Sequence, residues 1–271
     1  MAAVLTVPSL DLPELAPYRT LRRPDEHRAE GIFVAEGEKT VRRLLGSRLE
    51  VVSVLVTPHR MAGLADLLGN PGRGGTVYLC PAAEMERLTG FPIYQGVLAV
   101  GRVPRAIPLA DLLQDSAKPL LLVAIDGIAN AQNTGALVRT AAAFGAGGLL
   151  VSETGASPWL RRAVSCSVGA VFDLPVVECA DLAADLRALS RAGVRCVAAH
   201  PREGSVALTT ADLSGDCCVV LGSEDRGPRE EVLAACTVRA AVWMRNGVDS
   251  LNVVAAAAVF LHEATRGRPT R

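Results

Sequence analysis

Residues 124–146 read AIDGIANAQNTGALVRTAAAFGA, and their order decides the fold class. An apolar run ends at Asp126, a polar stretch follows, and a helical pattern opens near Asn133 and Thr134. Strand, loop and helix in that order form the unit from which parallel sheets are built, because parallel neighbours need a long crossover. Asn133 is the expected N-cap, since its side-chain oxygen can accept from an unpaired N–H of the first turn. Gly135 leaves room for another backbone to come close. Arg139 lies about one and a half turns into the helix. It reads either as a cation on a solvated face or, with Ala136, Leu137 and Ala143 around it, as one whose stem runs along apolar surface.

The same alternation extends outward. Strands are expected at 120–125, 148–151, 194–198, 218–221 and 238–242. Helices are expected at 134–144, 160–167, 182–192, 229–235 and 250–264. That pattern implies a parallel sheet covered by helices. Residues 253–261 are apolar on every side, so the last helix is expected to be buried all round. The first hundred residues differ. They suggest an extended arm over 1–17, helices at 36–45 and 61–68, a turn cluster at 70–75, and strands at 51–56, 77–79 and 97–100. This is a small mixed α/β unit. Pro104, Pro108 and Pro119 punctuate the stretch after it, which reads as a connection with a helical piece at 109–114. The expected division is 1–105, a linker over 106–118, and 119–271.

Composition narrows the classes. The 271 residues have zero formal net charge, so no bulk basic charge advertises a nucleic-acid ligand. The distribution says more. Between Tyr18 and Arg48 stand Arg19, Arg22, Arg23, Arg28, Lys39, Arg42, Arg43 and Arg48, against Asp25, Glu26, Glu30, Glu36 and Glu38. This is either a phosphate-contacting patch or a solvated helix face. The seven cysteines are odd in number, show no C-x-x-C spacing, and include the adjacent pair Cys217 and Cys218. They read as buried free thiols in a reducing compartment, not as a metal cluster. There is no signal-peptide order at the start and no run of about 18 apolar residues. The expectation is a soluble cytoplasmic protein without a membrane span.

Ligands of open parallel sheets bind beyond the carboxyl ends of the strands. Three segments combine a strand end with Gly and polar residues. The first is 126–135. The second lies in 219–232, VVLGSEDRGPREEV, where Gly222 suits close approach of a flat ligand. Glu224 there is the first acid after the strand, and it reads equally as a turn carboxylate capping the next helix. The third opens 244–264, MRNGVDSLNVVAAAAVFLHEA, where Asp249 or Ser250 can cap the last helix and Asn252 lies in its first turn. Several devices are absent. No G-x-x-x-x-G-K-[ST], G-x-G-x-x-G after a strand, H-E-x-x-H or G-x-S-x-G occurs, which removes weight from phosphate-loop hydrolysis, dinucleotide chemistry, zinc proteolysis and serine hydrolysis.

Taken together, the three segments resemble the signature motifs of the SpoU (TrmH-like) branch of the SPOUT methyltransferases. Asn133-Thr-Gly-Ala-Leu-Val-Arg139 is similar to the first, Leu221-Gly-Ser-Glu-Asp-Arg-Gly227 to the second, and Asp249-Ser-Leu-Asn-Val253 to the third. Phe33-Val-Ala-Glu-Gly37 and Gln95-Gly-Val-Leu-Ala99 more loosely resemble the small substrate-binding domain often fused to this branch. The resemblance implies a C-terminal parallel-sheet domain with a trefoil knot, preceded by a small RNA-binding α/β domain. It implies a homodimer whose site draws on both subunits, with S-adenosylmethionine as methyl donor, no metal, and a ribose 2′-hydroxyl of rRNA or tRNA as acceptor. A non-catalytic RNA-binding relative is the alternative, and a resistance methyltransferase acting on rRNA would look the same. Carried over by position, Leu221, Gly222, Val242, Met244 and Leu251 line the cofactor pocket. Arg139 acts at the hydroxyl, while Asn133, Glu224, Ser250 and Asn252 hold the loops and the substrate. Two departures stand out. The family often has Asp-Pro where this chain has Asn130-Ala131, and usually Ile-Pro-Met where it has Val242-Trp243-Met244, which bears on the cofactor loop.

Overall fold

The computed structural model describes residues 3–68, 75–201, 204–266 and 268. Apart from Gly75, the expected turn cluster at 70–75 lies outside them. The chain divides into two compact units, one of 1–105 with 159–173 and one of 106–158 with 174–271.

In the first unit the elements run β1 (Val4–Thr6), α1 (Ala16–Arg19), α2 (Pro24–Ala29), β2 (Ile32–Glu36), α3 (Glu38–Gly46), β3 (Val51–Val56), α4 (Pro58–Met61), α5 (Ala65–Leu68), β4 (Thr76–Leu79), α6 (Ala82–Thr89) and β5 (Val97–Arg102). The strands form one mixed sheet in the order β1-β4-β3-β5-β2. The expected arm over 1–17 is therefore partly structured, because Val4–Thr6 adds an edge strand beside β4. The helix expected at 36–45 begins later. Gly37, at φ 92°, ends β2, and the Glu38 N–H that opens α3 donates to Gln95 Oε1 at 2.8 Å. The helix expected at 61–68 is broken, with a 3-10 turn at Ala62–Leu64 between α4 and α5. Leu15, Tyr18, Val34, Leu55, Met85 and Leu98 form the core.

Residues Trp159–Asp173 also belong to this unit. Phe33 explains why, since its ring lies 5.3 Å from that of Trp159 and 5.4 Å from that of Phe172. Arg161 pairs with Glu36, and Arg43 with Asp173 at 2.9 Å.

The second unit follows the strand–helix rhythm: α7 (Leu109–Asp115), β6 (Leu121–Asp126), α8 (Ala131–Ala143), β7 (Gly148–Val151), the inserted α9 (Arg161–Cys166) given to the first unit, β8 (Val176–Glu178), α10 (Leu182–Arg191), β9 (Arg195–Ala199), β10 (Val206–Ala207), β11 (Cys217–Gly222), α11 (Glu230–Ala235), β12 (Val238–Ala241) and α12 (Val253–Thr265). The sheet is β10-β12-β9-β11-β6-β7-β8, and every pair is parallel. The central strands β6 and β11 are buried along their whole length, which is why both read as continuous apolar runs. On one face Leu122, Ala124, Cys196, Ala198, Cys218 and Val220 pack under Leu182, Leu186 and Leu189 of α10. Leu112, inside the stretch expected as a linker, is buried in the same cluster and ties 106–118 to this unit. Helix α12 packs on β11 and against α8.

Three expectations about helices need correction. Asn130, not Asn133, is the N-cap of α8, accepting from the Gln132 N–H at 2.8 Å. Asn252, not Asp249 or Ser250, caps α12, accepting from the Val254 N–H at 2.9 Å. Nor is α12 buried all round. Val253, Ala257, Phe260, Leu261 and Ala264 face the core, while Ala255 and Val259 are exposed.

Candidate functional site

A cavity of about 490 Å³ opens at the carboxyl ends of β9, β11 and β12. Its wall includes Leu221, Gly222, Val242, Met244 and Leu251, which are all five of the residues expected at the cofactor. Glu224 and Ser250 also line it, whereas Asn133, Arg139 and Asn252 do not. The three motif segments nevertheless converge. The Asn133 side-chain amide donates to Glu224 Oε1, joining the first turns of α8 to the segment after β11. Asn252 starts the helix whose Val253, Ala256 and Phe260 close the cavity from another side.

The caps explain the division of labour. With Asn130 supplying the capping oxygen, the Asn133 side chain is released to reach Glu224. With Asn252 capping α12, Ser250 is left to face the cavity. Glu224 therefore caps no helix. Arg229 holds that position for α11, without a side-chain cap.

At Gly222, which also lines the cavity, this chain's own backbone comes close. A Cβ there would stand 1.9 Å from Pro228 N and 2.0 Å from Gly227 C. The turn 223–227 folds back tightly, closed by the Gly227 N–H donating to Ser223 O at 2.9 Å. Gly227 takes φ 73°, which L side chains rarely adopt. Trp243 does not enter the cavity. It is 57% exposed, while Val242 and Met244 on either side line the wall.

Asp126, one residue beyond the strand expected at 120–125, ends β6 and is 1% exposed. It accepts from the Arg229 backbone N–H at 2.8 Å and from Arg229 Nε at 3.0 Å. Arg229 also donates to Glu153 Oε1 at 2.6 Å. The hydrogen bond to Glu153, then that to Asp126, raises the guanidinium pKa further above its ordinary value. The same bond holds the Glu153 carboxyl below its usual range. A buried carboxylate needs such partners, since an unpaired one costs several kcal/mol. This network fixes the end of β6 against the start of α11, so it frames the cavity without lining it.

Sequence reasoning missed His200, Pro201 and Phe260, all of which line the cavity. A signal for His200 existed. It follows β9 directly, and the strand-end rule applies to β9 as it does to β11. Arg139 is exposed on α8, outside the cavity wall, with no hydrogen bond or ion pair among the described residues. No cluster of three or more His, Cys, Asp or Glu able to hold a metal occurs among the described residues. None of their helices is long and apolar enough to cross a membrane. All seven cysteines are free thiols, five of them buried.

The sequence profile of the SpoU rRNA Methylase family matches residues 120–262. The chain belongs to this family. It is 32% identical over 264 residues to an uncharacterised tRNA/rRNA methyltransferase of Mycobacterium tuberculosis, covering 94% of this chain and 90% of that one. A Mycobacterium bovis relative of the same description is 32% identical over 263 residues, again at 94% and 90% coverage. Among solved structures, an rRNA methyltransferase from Sinorhizobium meliloti superposes with a TM-score of 0.83 at 26% identity, covering 99% of this chain and 100% of that one. An AdoMet-bound rRNA methyltransferase structure from the same organism gives 0.82 at 27% identity, covering 98% and 99%. The family match spans the second unit's sheet, all three motif segments and the cavity they surround.

Proposed function

We propose that this chain transfers a methyl group from S-adenosylmethionine to a ribose 2′-hydroxyl of structured RNA. The observation that carries the reading is the cavity at the strand ends. All five expected cofactor residues line it, and the Glu224–Asn133 hydrogen bond brings the first motif to the second. Its volume lies within the roughly 300–1,000 Å³ of small-molecule sites. The lining fits the donor. Leu221, Val242, Met244, Leu251 and Phe260 offer apolar surface for an adenosine, and Ser223, Glu224 and Ser250 offer polar groups for its ribose and amino-acid ends.

When bound, S-adenosylmethionine supplies a methyl already activated on a sulfonium. The chain's own task is alignment, which alone lowers such barriers by several kcal/mol. Gly222 lets the 223–227 turn close over the end of β11, and Glu224 with Asn133 locks that turn to α8. Ser250 and Asn252 hold the segment that enters α12. A guanidinium carries five N–H donors and no acceptor, so Arg139 is not the base. Its role is a fixed positive charge that polarises the hydroxyl or orients the adjoining phosphate.

The reading includes a homodimer whose site draws on both subunits. Two features support it. Arg139 stands outside its own subunit's cavity, and the neighbouring α12 exposes Ala255 and Val259, with Val259 41% exposed. Trp243, Val248 and Leu251 add exposed apolar surface in the segment before α12. The reading also includes a trefoil knot in the C-terminal part. In its favour, the chain runs from β12, near one edge of the sheet, back to α12 against β11 and α8. The first unit is assigned to RNA binding.

The test is mass mapping of 2′-O-methyl marks on rRNA and tRNA incubated with protein and S-adenosylmethionine. A new mark in one pool is expected, and its loss in Arg139→Ala with donor affinity unchanged. No mark in either pool refutes the activity. Wild-type turnover by Arg139→Ala refutes that residue's role.

A further inference from the structure

We propose that the first unit carries a nucleotide-stacking platform, the Tyr94 ring with the Arg22 guanidinium beside its loop, that receives an unpaired base and phosphate of the substrate RNA. The inference rests on the reading of the chain as an RNA methyltransferase and adds where a single-stranded part of that RNA is gripped. Tyr94 is 98% exposed, the most exposed of the large hydrophobic side chains among the described residues. Its loop is nonetheless held on every side. The Gly96 N–H donates to Ile93 O at 2.9 Å, and the Thr57 N–H donates to Gly96 O at 3.0 Å. Gln95 Oε1 accepts from the Glu38 N–H, while Phe91 and Ile93 pack against the unit's core. A phenol ring presented to solvent from a backbone this well fixed contributes little to the unit's own stability. The loop backbone has already lost the freedom that binding would otherwise remove from it.

The charge beside it is arranged to match. The guanidinium of Arg22 lies 5.1 Å from the centroid of the Phe91 ring, and that of Arg161 lies 5.3 Å from it. Phe91 thus draws two cations to the base of the Tyr94 loop, as cation–π geometry allows. Arg161 is committed to Glu36. Arg22 makes no hydrogen bond or ion pair among the described residues, so its charge is available. Of the eight residues of the local basic run, four others are engaged within the unit. Arg19 donates to Leu12 O, Arg23 pairs with Glu26, Arg42 with Asp66, and Arg43 with Asp173. Half of the run is therefore internal structure, and Arg22 is the free member that sits against an aromatic loop. A planar ring stacks on any base, and a neighbouring cation meets its phosphate. This is how proteins hold unpaired RNA.

The experiment uses the full chain and a fluorescein-labelled 12-nucleotide oligouridylate, read by fluorescence anisotropy. Binding is expected. Tyr94→Ala should weaken it about ten-fold or more and Tyr94→Trp should retain it, as stacking requires. Arg22→Gln should lower the slope of log affinity against log salt by about one. Tyr94 is too exposed for its loss to unfold the unit, and an unchanged melting temperature checks this. Absence of oligouridylate binding by the parent chain, or equal binding by Tyr94→Ala, overturns the platform. Methyl transfer to rRNA and tRNA is measured in parallel. Transfer that persists while Tyr94→Ala leaves both KM and oligouridylate affinity unchanged sinks the platform alone. Stacking that depends on Tyr94 in a chain that methylates neither RNA sinks the activity alone.

Discussion

Replacing Gly222 by alanine tests how the cavity is built. The added Cβ would meet Pro228 N at 1.9 Å and Gly227 C at 2.0 Å, and both are backbone atoms that cannot rotate away. Non-bonded heavy atoms settle near 3.5 Å or more, so the 227–228 backbone must retreat by roughly 1.6 Å. That retreat opens the Ser223–Gly227 closure and pulls Glu224 from Asn133. Overpacking a tight site costs about 1–3 kcal/mol, and a clash with main chain belongs at the upper end. For a unit of this size, about 3 kcal/mol lowers the melting temperature by roughly 6–12 °C. Donor binding suffers as well, because Leu221, Glu224 and Val242 no longer converge. At least a ten-fold loss of S-adenosylmethionine affinity is expected, which corresponds to about 1.4 kcal/mol. Calorimetric titration and thermal melting measure the two effects separately. Gly215→Ala is the control, since a Cβ there meets nothing within 4 Å and the position does not need a positive φ. A Gly222→Ala protein with the parent melting temperature and donor affinity would show that the turn does not shape the site.

Val259→Arg places a charge on the exposed apolar face of α12, and light scattering after gel filtration should show a dimer converted to monomer with methyl transfer lost. A dimer that survives the change puts the subunit contact elsewhere. Glu153 is held below its ordinary value of 4.5 by Arg229. Its contribution to stability is complete above that value and disappears as pH falls through the depressed one. Urea melts at decreasing pH should therefore show an acid limb that Glu153→Gln flattens. The effect should be small because the Glu153 side chain is 36% exposed. Burial pushes the Cys217 thiol up to about 11 and the Cys236 thiol to about 12. At pH 8 iodoacetamide should modify the half-buried Cys166 first and Cys217 only after denaturation. Rapid native labelling of Cys217, read by mass spectrometry, would contradict the packing of β11.

The parallel sheet was legible because β6 and β11 are buried on both faces and so cannot alternate. Their apolar runs stand out from any solvated strand. The short edge strands Val176–Glu178 and Val206–Ala207 were not, since two or three residues carry no period. Strand order was not legible either, because β12 lies between β9 and β10 through pairings that no local pattern encodes. The site divides along the same line. Residue types and spacing pointed to the strand ends, and the family motifs carried over by position named the wall residues Leu221, Gly222, Val242, Met244 and Leu251, all of which line the cavity. Residue types and spacing misplaced the caps, because Asn130 and Asn133 are equally good capping residues one turn apart. Only the geometry shows which oxygen meets an N–H of the first turn and which side chain is left for Glu224. The same choice recurs at α12. An asparagine that caps is held, and a serine two residues earlier, which makes no cap, faces the cavity. Arg139 follows from this arrangement. A helix beginning at Ala131 sets Arg139 two turns from its start and about 9 Å along the axis from Asn133. That distance separates the residue that locks the turn from the residue assigned to the hydroxyl. Arg139 stands outside its own subunit's cavity, so its proposed role at the hydroxyl and the proposed dimer stand or fall together.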